Sequence, residues 1–420
     1  NLPAVKESPV TAPAAARRPS VVDLFCGAGG LSSGLEEAGW QSVAAVDSDP
    51  SCLRTLESTQ QARLPVVEDP ERLYLERTRL LLADVAELSA SDLRPGGVPR
   101  NWRPDLLAGG PPCQPFSSAG KQGGVQDPRG RLFLEFVRLA NELRPHHVLF
   151  ENVRGLMTAR TPDGQPGGVL QLIQRSFAEI GYACRFATLN AADYGAPQRR
   201  VRLFVFATTD RPLPGFPEPT HARDPDGLPG VARKPWVTLE EFLAEQPVPD
   251  AVDVVRPSGR RIRELGALTP GTGLRTGGRV EANRPGGHWG YRQDCFLADL
   301  GLPARTIRAA STPDWIRLDD GSLRRLTWRE CAGLQGFLSG WRFEGTIASR
   351  FRQIGNAVQG DVARALGETL LDAWRCGGRA KPVSPPWPDE FHRRVRYTEM
   401  EHRVNGAYRV GTSPGRQSGG

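Results

Sequence analysis

What the sequence lacks narrows its possible roles before any motif is considered. No apolar run approaches the roughly 20 residues that a helix needs to cross a bilayer. The stretch ahead of Arg17 and Arg18 is a Pro/Ala-rich leader without the hydrophobic segment of a secretion signal. The seven cysteines are odd in number and include no C-x-x-C pair, which argues against a disulfide scaffold or a zinc site and fits a reducing compartment. The six histidines are equally scattered, so no metal is expected. Charge of one sign is also scarce: a net +7 permits a polyanionic partner without establishing one. A cytoplasmic protein that makes no contact with a membrane is the expectation. The chain begins with Asn1 rather than Met, so its N-terminus is expected to be processed or incomplete.

What is present is a globular composition, 39% hydrophobic and 24% charged, in 420 residues. That length suggests two domains with additions. Residues 1–20 read as a flexible leader. From Val21 strands and helices alternate: strands at 21–25, 43–46, 105–108, 148–150 and 203–207, with helical faces at Leu31/Leu35/Ala38, Leu132/Phe136/Leu139/Leu143 and Val169/Ile173/Phe177. Repeated β-α units of this kind predict an α/β fold whose sheet is parallel, with helices on both faces. The domain they form spans 21–210. Residues 211–320 are rich in Pro, Gly and Arg and read as a smaller irregular domain, with one short helix near 237–243. Helical patterns return at 327–334 and 360–374, in a segment (321–375) that rejoins the first domain. Residues 376–420 read as a loosely held tail. There are no internal repeats.

Four segments along the predicted sheet edge carry chemistry. Asp23-Leu-Phe-Cys-Gly-Ala-Gly-Gly30 joins a strand to a helix, where glycines let a ligand approach the backbone and helix amides. Asp47 ends the next strand, where a carboxylate reaches ribose hydroxyls in nucleotide-binding sheets. Ser32 stands where the dinucleotide fingerprint needs a third glycine, so dehydrogenase and methyltransferase readings are even at this point. Asp84 would lie along the same rim, or be a plain surface aspartate. In Gly109-Gly-Pro-Pro-Cys113-Gln-Pro-Phe-Ser117 two prolines stiffen the backbone before a cysteine at the carboxyl edge. A thiol there can be a nucleophile, and Cys26 in the glycine turn is its nearest rival. Glu151 ends the next strand; adjacent parallel strands would put it beside Cys113, as an acid acting on a ring nitrogen or as an ordinary helix cap. In Gln198-Arg-Arg-Val-Arg202 a strand would put Arg200 and Arg202 on one face, suited to a phosphate, a carboxylate or a pyrimidine carbonyl.

Taken together and in this order, these segments resemble the DNA (cytosine-5) methyltransferases over about 20–210 and 320–375. Pro111-Pro-Cys-Gln-Pro-Phe-Ser117 and Gly120-Lys-Gln…Asp127-Pro-Arg-Gly130 are specific to that family, the second resembling its mobile catalytic loop. Glu151-Asn-Val, Gln198-Arg-Arg-Val-Arg, Arg325-Leu-Thr-Trp-Arg-Glu330, Gln335-Gly-Phe and Gln353-Ile-Gly-Asn-Ala-Val358 match further motifs.

The resemblance implies a Rossmann-like sheet that uses S-adenosylmethionine, and 211–320 as a target-recognition domain. It implies Cys113 as nucleophile at cytosine carbon 6 and Glu151 as the acid at nitrogen 3, with Arg200 and Arg202 at the pyrimidine. Phe25, Gly27, Gly29, Asp47, Asp84, Pro111 and Asn356 would hold the cofactor, and Gln114, Ser117, Lys121 and Arg129 would contact DNA. Asp47, Ala119 and Ala357 stand where the family more often has Glu, Ser and Ser.

The implied partner is double-stranded DNA with the target base flipped out. The expected state is a monomer on DNA, and the resemblance allows a cognate restriction endonuclease that acts separately. Any of Arg256, Arg260, Arg261, Arg263, Arg275, Arg279, Arg284 and Arg292 could contact phosphate or guanine. Three other readings compete. A tRNA cytosine-5 methyltransferase of the same fold would usually show a Cys-Phe-Thr tripeptide, which is absent. An NAD-dependent oxidoreductase leaves the Pro-Pro-Cys-Gln loop unexplained. A non-catalytic DNA-binding relative would normally have lost Cys113 or Glu151.

Overall fold

A computed structural model describes residues 17–112, 132–161, 164–225, 232–275, 280–282, 291–310 and 312–398. Seven strands build its main sheet: β1 (Ser20–Leu24), β2 (Gln41–Asp47), β3 (Arg79–Leu82), β4 (Leu106–Gly109), β5 (His147–Val153), β6 (Ala183–Asn190) and β7 (Val201–Thr208). Their spatial order is β3-β2-β1-β4-β5-β7-β6. The strands β3, β2, β1, β4 and β5 pair in parallel, whereas β7 runs antiparallel to both β5 and β6. The fully parallel sheet expected from the sequence is therefore a mixed one. Only residues 191–200 join β6 to β7, too few for the helical crossover that a parallel neighbour requires.

Period-two alternation divides the core between the two faces. Val22, Leu24, Leu107, Val148, Phe150, Leu203 and Val205 pack against α3 (Leu132–Leu143) and α4 (Gly168–Glu179). Val21, Leu106, Ala108, Leu149, Phe204 and Phe206 pack on the other side with α1 (Gly30–Glu37) and the later helix α7 (Gly360–Cys376). Another helix, α2 (Pro50–Gln61), follows β2 and is capped by Asp49, whose carboxylate accepts from the Ser51 amide. The return of α7 is close: a Cβ on Gly367 would stand 2.7 Å from the Ala38 side chain. The indole of Trp40 donates to the Gly367 carbonyl at 2.9 Å.

Between 211 and 320 the structure is more regular than its composition suggests. Five short strands, β8 (Thr272–Arg275), β9 (Val280–Ala282), β10 (Tyr291–Leu297), β11 (Trp315–Arg317) and β12 (Leu323–Arg325), form a second sheet in the order β9-β8-β10-β11-β12. Leu265, Leu268, Leu274, Cys295, Leu297 and Trp315 make its small core. This sheet runs to Arg325, past the boundary expected at 320. The first part of the segment instead lies on the large domain: Phe216 stacks on Phe206 at 4.4 Å, and the Trp236 indole donates to Asp193 at 2.9 Å. Two helices follow the second sheet, α5 (Trp328–Leu334) and α6 (Ile347–Asn356), the first with Thr327 and Glu330 forming a capping box.

The loose tail expected over 376–420 is ordered over 376–398, and residues 399–420 lie outside the described residues. From 376 the chain climbs along the exposed edge of β6 into a helix over 389–398, α8. Trp387 stacks on Phe186 at 4.8 Å and on Phe391 at 4.4 Å, and Phe391 is buried. Aromatic burial on an otherwise bare sheet edge outweighs the disorder that a Pro- and Arg-rich composition suggests.

Candidate active site

At the carboxyl edge of β1 the chain enters the glycine turn through Phe25, whose φ of +58° lies in the left-handed region. That conformation costs an aromatic residue on the order of 1–3 kcal/mol. The turn is held by the Cys26 amide donating to the Val46 carbonyl at 3.0 Å and by Asp47. One Asp47 oxygen accepts from the Gly27 amide and the other from the Asp49 amide, both at 2.8 Å. Burial pushes the Asp47 carboxyl above its usual range, while these amides pull it back.

The two glycines play different parts. A side chain on Gly27 would meet open space, whereas one on Gly29 would stand 2.7 Å from Leu56 and 3.0 Å from Trp341. Gly29 is therefore demanded by packing as much as by a ligand. Asp47 pairs with Leu82 across the β2–β3 ladder, and Leu82 is 60% exposed at this rim. Asp84 follows at the end of β3, exposed, with one oxygen accepting from the Ala86 amide at 2.9 Å. Asn356 ends α6, exposed, and the adjoining Ala357 and Val358 pack directly on Gly30. An exposed leucine, a half-buried phenylalanine, a strand-end carboxylate and a glycine facing open space fit a nucleoside-bearing cofactor.

The reactive end lies two strands away. Strands β4 and β5 pair in parallel with Gly109 opposite Phe150, so the residues that follow, Gly110 and Glu151, are neighbours. A Cβ on Gly110 would stand 2.8 Å from Glu151 Oε2. Glu151 is buried, and desolvation raises its pKa against the pull of Arg202 and Arg200. The Arg202 Nε lies 3.3 Å from Glu151 Oε1. Asn152 donates to the carbonyl of buried Pro111 at 3.0 Å and so ties the loop leaving β4 to the end of β5. Sequence reasoning quoted Asn152 within a motif without giving it a role; its place beside the Pro-Pro pair was the available signal.

Cys113, Gln114, Ser117, Lys121 and Arg129 lie outside the described residues. Cys26, the rival nucleophile, is buried, and desolvation together with Asp23 and Asp47 holds its thiol far above the ordinary range. Among the described residues no group of three His, Cys, Asp or Glu side chains is placed to hold a metal ion.

The family model for C-5 cytosine-specific DNA methylase matches residues 20–224 and 275–372, most of the chain. The chain belongs to the C-5 cytosine-specific DNA methylases. Among its relatives, the Type II methyltransferase M.XorII of Xanthomonas oryzae pv. oryzae is 31% identical over 88% of this methylase and 87% of its own length. The Type II methyltransferase M.AquIA of Picosynechococcus sp. is 34% identical over 54% of this chain and 88% of its own. Solved structures share the fold at low identity. The S. pombe Dnmt2 methyltransferase has a TM-score of 0.56 at 17% identity, covering 85% of this chain and 99% of that one. The Entamoeba histolytica methyltransferase EhMeth has a TM-score of 0.57 at 14% identity, with the same coverage.

Arg200 shows a structural role that the resemblance did not imply. It lies in electrostatic reach of Glu151 and Arg202. Its guanidinium is buried and donates to the carbonyls of Ile307 at 3.0 Å, Gly355 at 3.0 Å and Ala357 at 2.8 Å. The last two belong to the C-terminal end of α6, where the helix dipole favours a cation. Arg200 falls between the short strand Gln198–Arg199 and β7, so strand alternation does not carry across it. Gln198 and Gln335 complete the junction. Gln198 accepts from the Ile307 amide at 2.8 Å and donates to the Gln335 side chain at 2.7 Å; Gln335 donates to the Ile354 carbonyl at 2.7 Å. Contact there is so tight that a Cβ on Gly355 would lie 2.2 Å from the Ala309 amide. Arg200 and the two glutamines weld the segment after β10 to α6 and to the main sheet.

Proposed function

We propose that the methylase binds S-adenosylmethionine at the carboxyl edge of β1, β2 and β3 and modifies a cytosine flipped out of duplex DNA into the space beside Glu151. Phe25, Gly27, Asp47, Leu82, Asp84 and Asn356 hold the cofactor, which supplies an electrophilic methyl group when bound. Cys113 adds as thiolate to carbon 6 of the ring, and Glu151 delivers its proton to nitrogen 3. Electron density then reaches carbon 5, the atom that receives the methyl. Loss of the carbon 5 proton to solvent, return of the nitrogen 3 proton to Glu151 and expulsion of the thiolate restore the aromatic ring. Arg202 orients the Glu151 carboxyl and faces the pyrimidine carbonyl. A single observation supports the scheme most: Glu151 is buried with a raised pKa beside Gly110, the residue that follows the strand leading towards Cys113. A carboxyl that keeps its proton nearer neutral pH is a better acid.

Sequence choice is assigned to 211–320. Residues 225–274 of that segment fall outside the family match and carry Arg256, Arg260, Arg261 and Arg263. The methylase acts as a monomer on DNA in the cytoplasm, protecting sites from a separate endonuclease, a reading supported by its Type II relatives.

The deciding experiment is a covalent trap. Duplex DNA with fluorine at carbon 5 of the target cytosine blocks proton loss, so the enzyme should stay bonded to DNA in the presence of S-adenosylmethionine. Peptide mass should place the adduct at Cys113, and Cys113→Ser should form none. Labelled S-adenosylmethionine with duplex DNA and with tRNA, run in parallel, identifies the substrate. An adduct at Cys26, or methylation of tRNA alone, would overturn the scheme.

A further inference from the structure

The family match ends at residue 372, yet the chain beyond it follows a defined course. It passes beside Asp210 at the amino end of the sheet, where the Ala380 amide donates to the Asp210 carbonyl at 3.2 Å. It then ascends β6: Ser384 accepts from the Cys184 amide at 3.0 Å, Trp387 stacks on Phe186, and Glu390 accepts from Thr188 at 2.7 Å. It arrives at Gly167, the N-cap of α4, where a Cβ would meet Phe391 at 2.8 Å and Val395 at 2.9 Å. The start of α4 lies at the carboxyl edge of the sheet, the edge that carries Glu151. The final turns of α8 are thus delivered to the rim of the active site.

The sequence of those turns is Phe391-His-Arg-Arg-Val-Arg396. Phe391 is buried and Val395 half-buried, while His392, Arg393 and Arg396 are exposed. The acidic groups on the same helix are Asp389 and Glu390, and Glu390 is taken up by Thr188 and by Arg394 at 2.7 Å. Arg154 follows β5 directly and lies in electrostatic reach of Arg394 and Arg202, which repel it, and of Glu390, which attracts it. The rim beside Glu151 therefore carries Arg202, Arg154 and Arg394 with Glu390 among them, and α8 adds exposed Arg393 and Arg396. An excess of like charge is held at a cost in self-repulsion that a polyanion relieves. Covering the edge of β6 explains Trp387 and Phe391 but does not require the cations.

We propose that Arg393 and Arg396, at the end of α8, bind phosphates of the DNA backbone flanking the flipped cytosine, so that this C-terminal addition widens the DNA-binding face. The idea rests on the reading of duplex DNA as substrate. Phosphate contacts supply affinity without sequence information, and each releases condensed counterions.

The test uses the full chain. Affinity for a duplex containing the target site and for a scrambled duplex is measured across a salt gradient for the wild type, R393A/R396A and R393K/R396K. Two phosphate contacts predict that the slope of log affinity against log salt falls by about 2, from roughly 0.9 per phosphate, and by the same amount on both duplexes. The lysine pair should retain most of the slope. Thermal midpoints should be alike, since neither side chain is buried. A slope unchanged in R393A/R396A, with the wild type binding normally, would overturn the proposal and leave α8 as an edge cover. Failure of the wild type itself to bind or methylate duplex DNA would instead overturn the underlying substrate reading.

Discussion

Arg200 and Arg260 show how differently the two sheets of this methylase use the same side chain. Arg200, at the junction beside the main sheet, is buried and gives its donors to three backbone carbonyls on two other segments. Arg260, in the short helix that packs near the second sheet, is 81% exposed and pairs only with Glu264 one turn away. An exposed intrahelical pair of that kind contributes a few tenths of a kcal/mol, about 0.3–0.5, so DNA can displace it at little cost. A buried guanidinium with three acceptors cannot be redeployed without opening the junction. Arg200 is thus built into the architecture, whereas the Arg260 pair is held loosely enough to be lent to a ligand.

The largest effect that would sharpen this contrast is catalytic. Glu151→Gln keeps the shape beside Gly110 but has no proton to deliver to nitrogen 3. Single-turnover methyl transfer should fall roughly a hundred- to ten-thousand-fold, with cofactor affinity little changed. Undiminished transfer would return Glu151 to a structural role.

Next comes the division of labour within one motif. Arg200→Met removes a donor from the buried Ile307 and Gly355 carbonyls, at about 1–3 kcal/mol for each left without one, partly offset by removal of a desolvated charge, while the Ala357 carbonyl keeps Gln335. Arg202→Met removes the partner of Glu151 and a bond to the Val201 carbonyl. Urea unfolding should show a clear loss for the first variant and little for the second, whereas turnover should drop steeply in the second while it remains folded. Equal stabilities would break the distinction drawn between them.

A smaller effect is expected at the second sheet. Arg260→Ala and Arg263→Ala should cost DNA binding about 1–3 kcal/mol each where the residue reads a base, with melting unaltered. Bisulfite mapping of methylated plasmid would show a relaxed position in the site. Were both changes silent in affinity and in site choice, these residues would be no more than a solvated surface.

The last effect is one of pH and concerns a buried acid. Asp23 lies within β1 and hydrogen-bonds to Ser32 at 2.5 Å; burial raises its pKa from 3.8 to about 7. Because the folded value lies above the unfolded one, its contribution to stability is complete below about pH 4 and is lost as pH rises through about 7. Asp23→Asn should flatten that part of the stability curve. A pH profile identical to wild type between these limits would show that Asp23 is ionised in the fold.

Local pattern made much of this molecule readable in advance. The glycine turn, the strand ending in Asp47, the faces of α3 and α4, the helix beginning near Thr327 and the placement of Glu151 next to the strand that leads to Cys113 all depend on neighbours a few residues apart, or on parallel strands whose order follows from β-α repetition. What was not readable depends on partners far along the chain. The reversed direction of β7 follows from a short connection and from the gap it fills between β5 and β6. Arg200 is held at the junction because the end of α6, more than 150 residues later, presents carbonyls to it. The path of Trp387 and Phe391 up β6 follows from an uncovered edge. Periodicity records which face of an element is apolar, but it carries no term for which distant segment supplies the covering surface or the matching hydrogen-bond acceptor. That choice is made only when the whole chain has closed on itself.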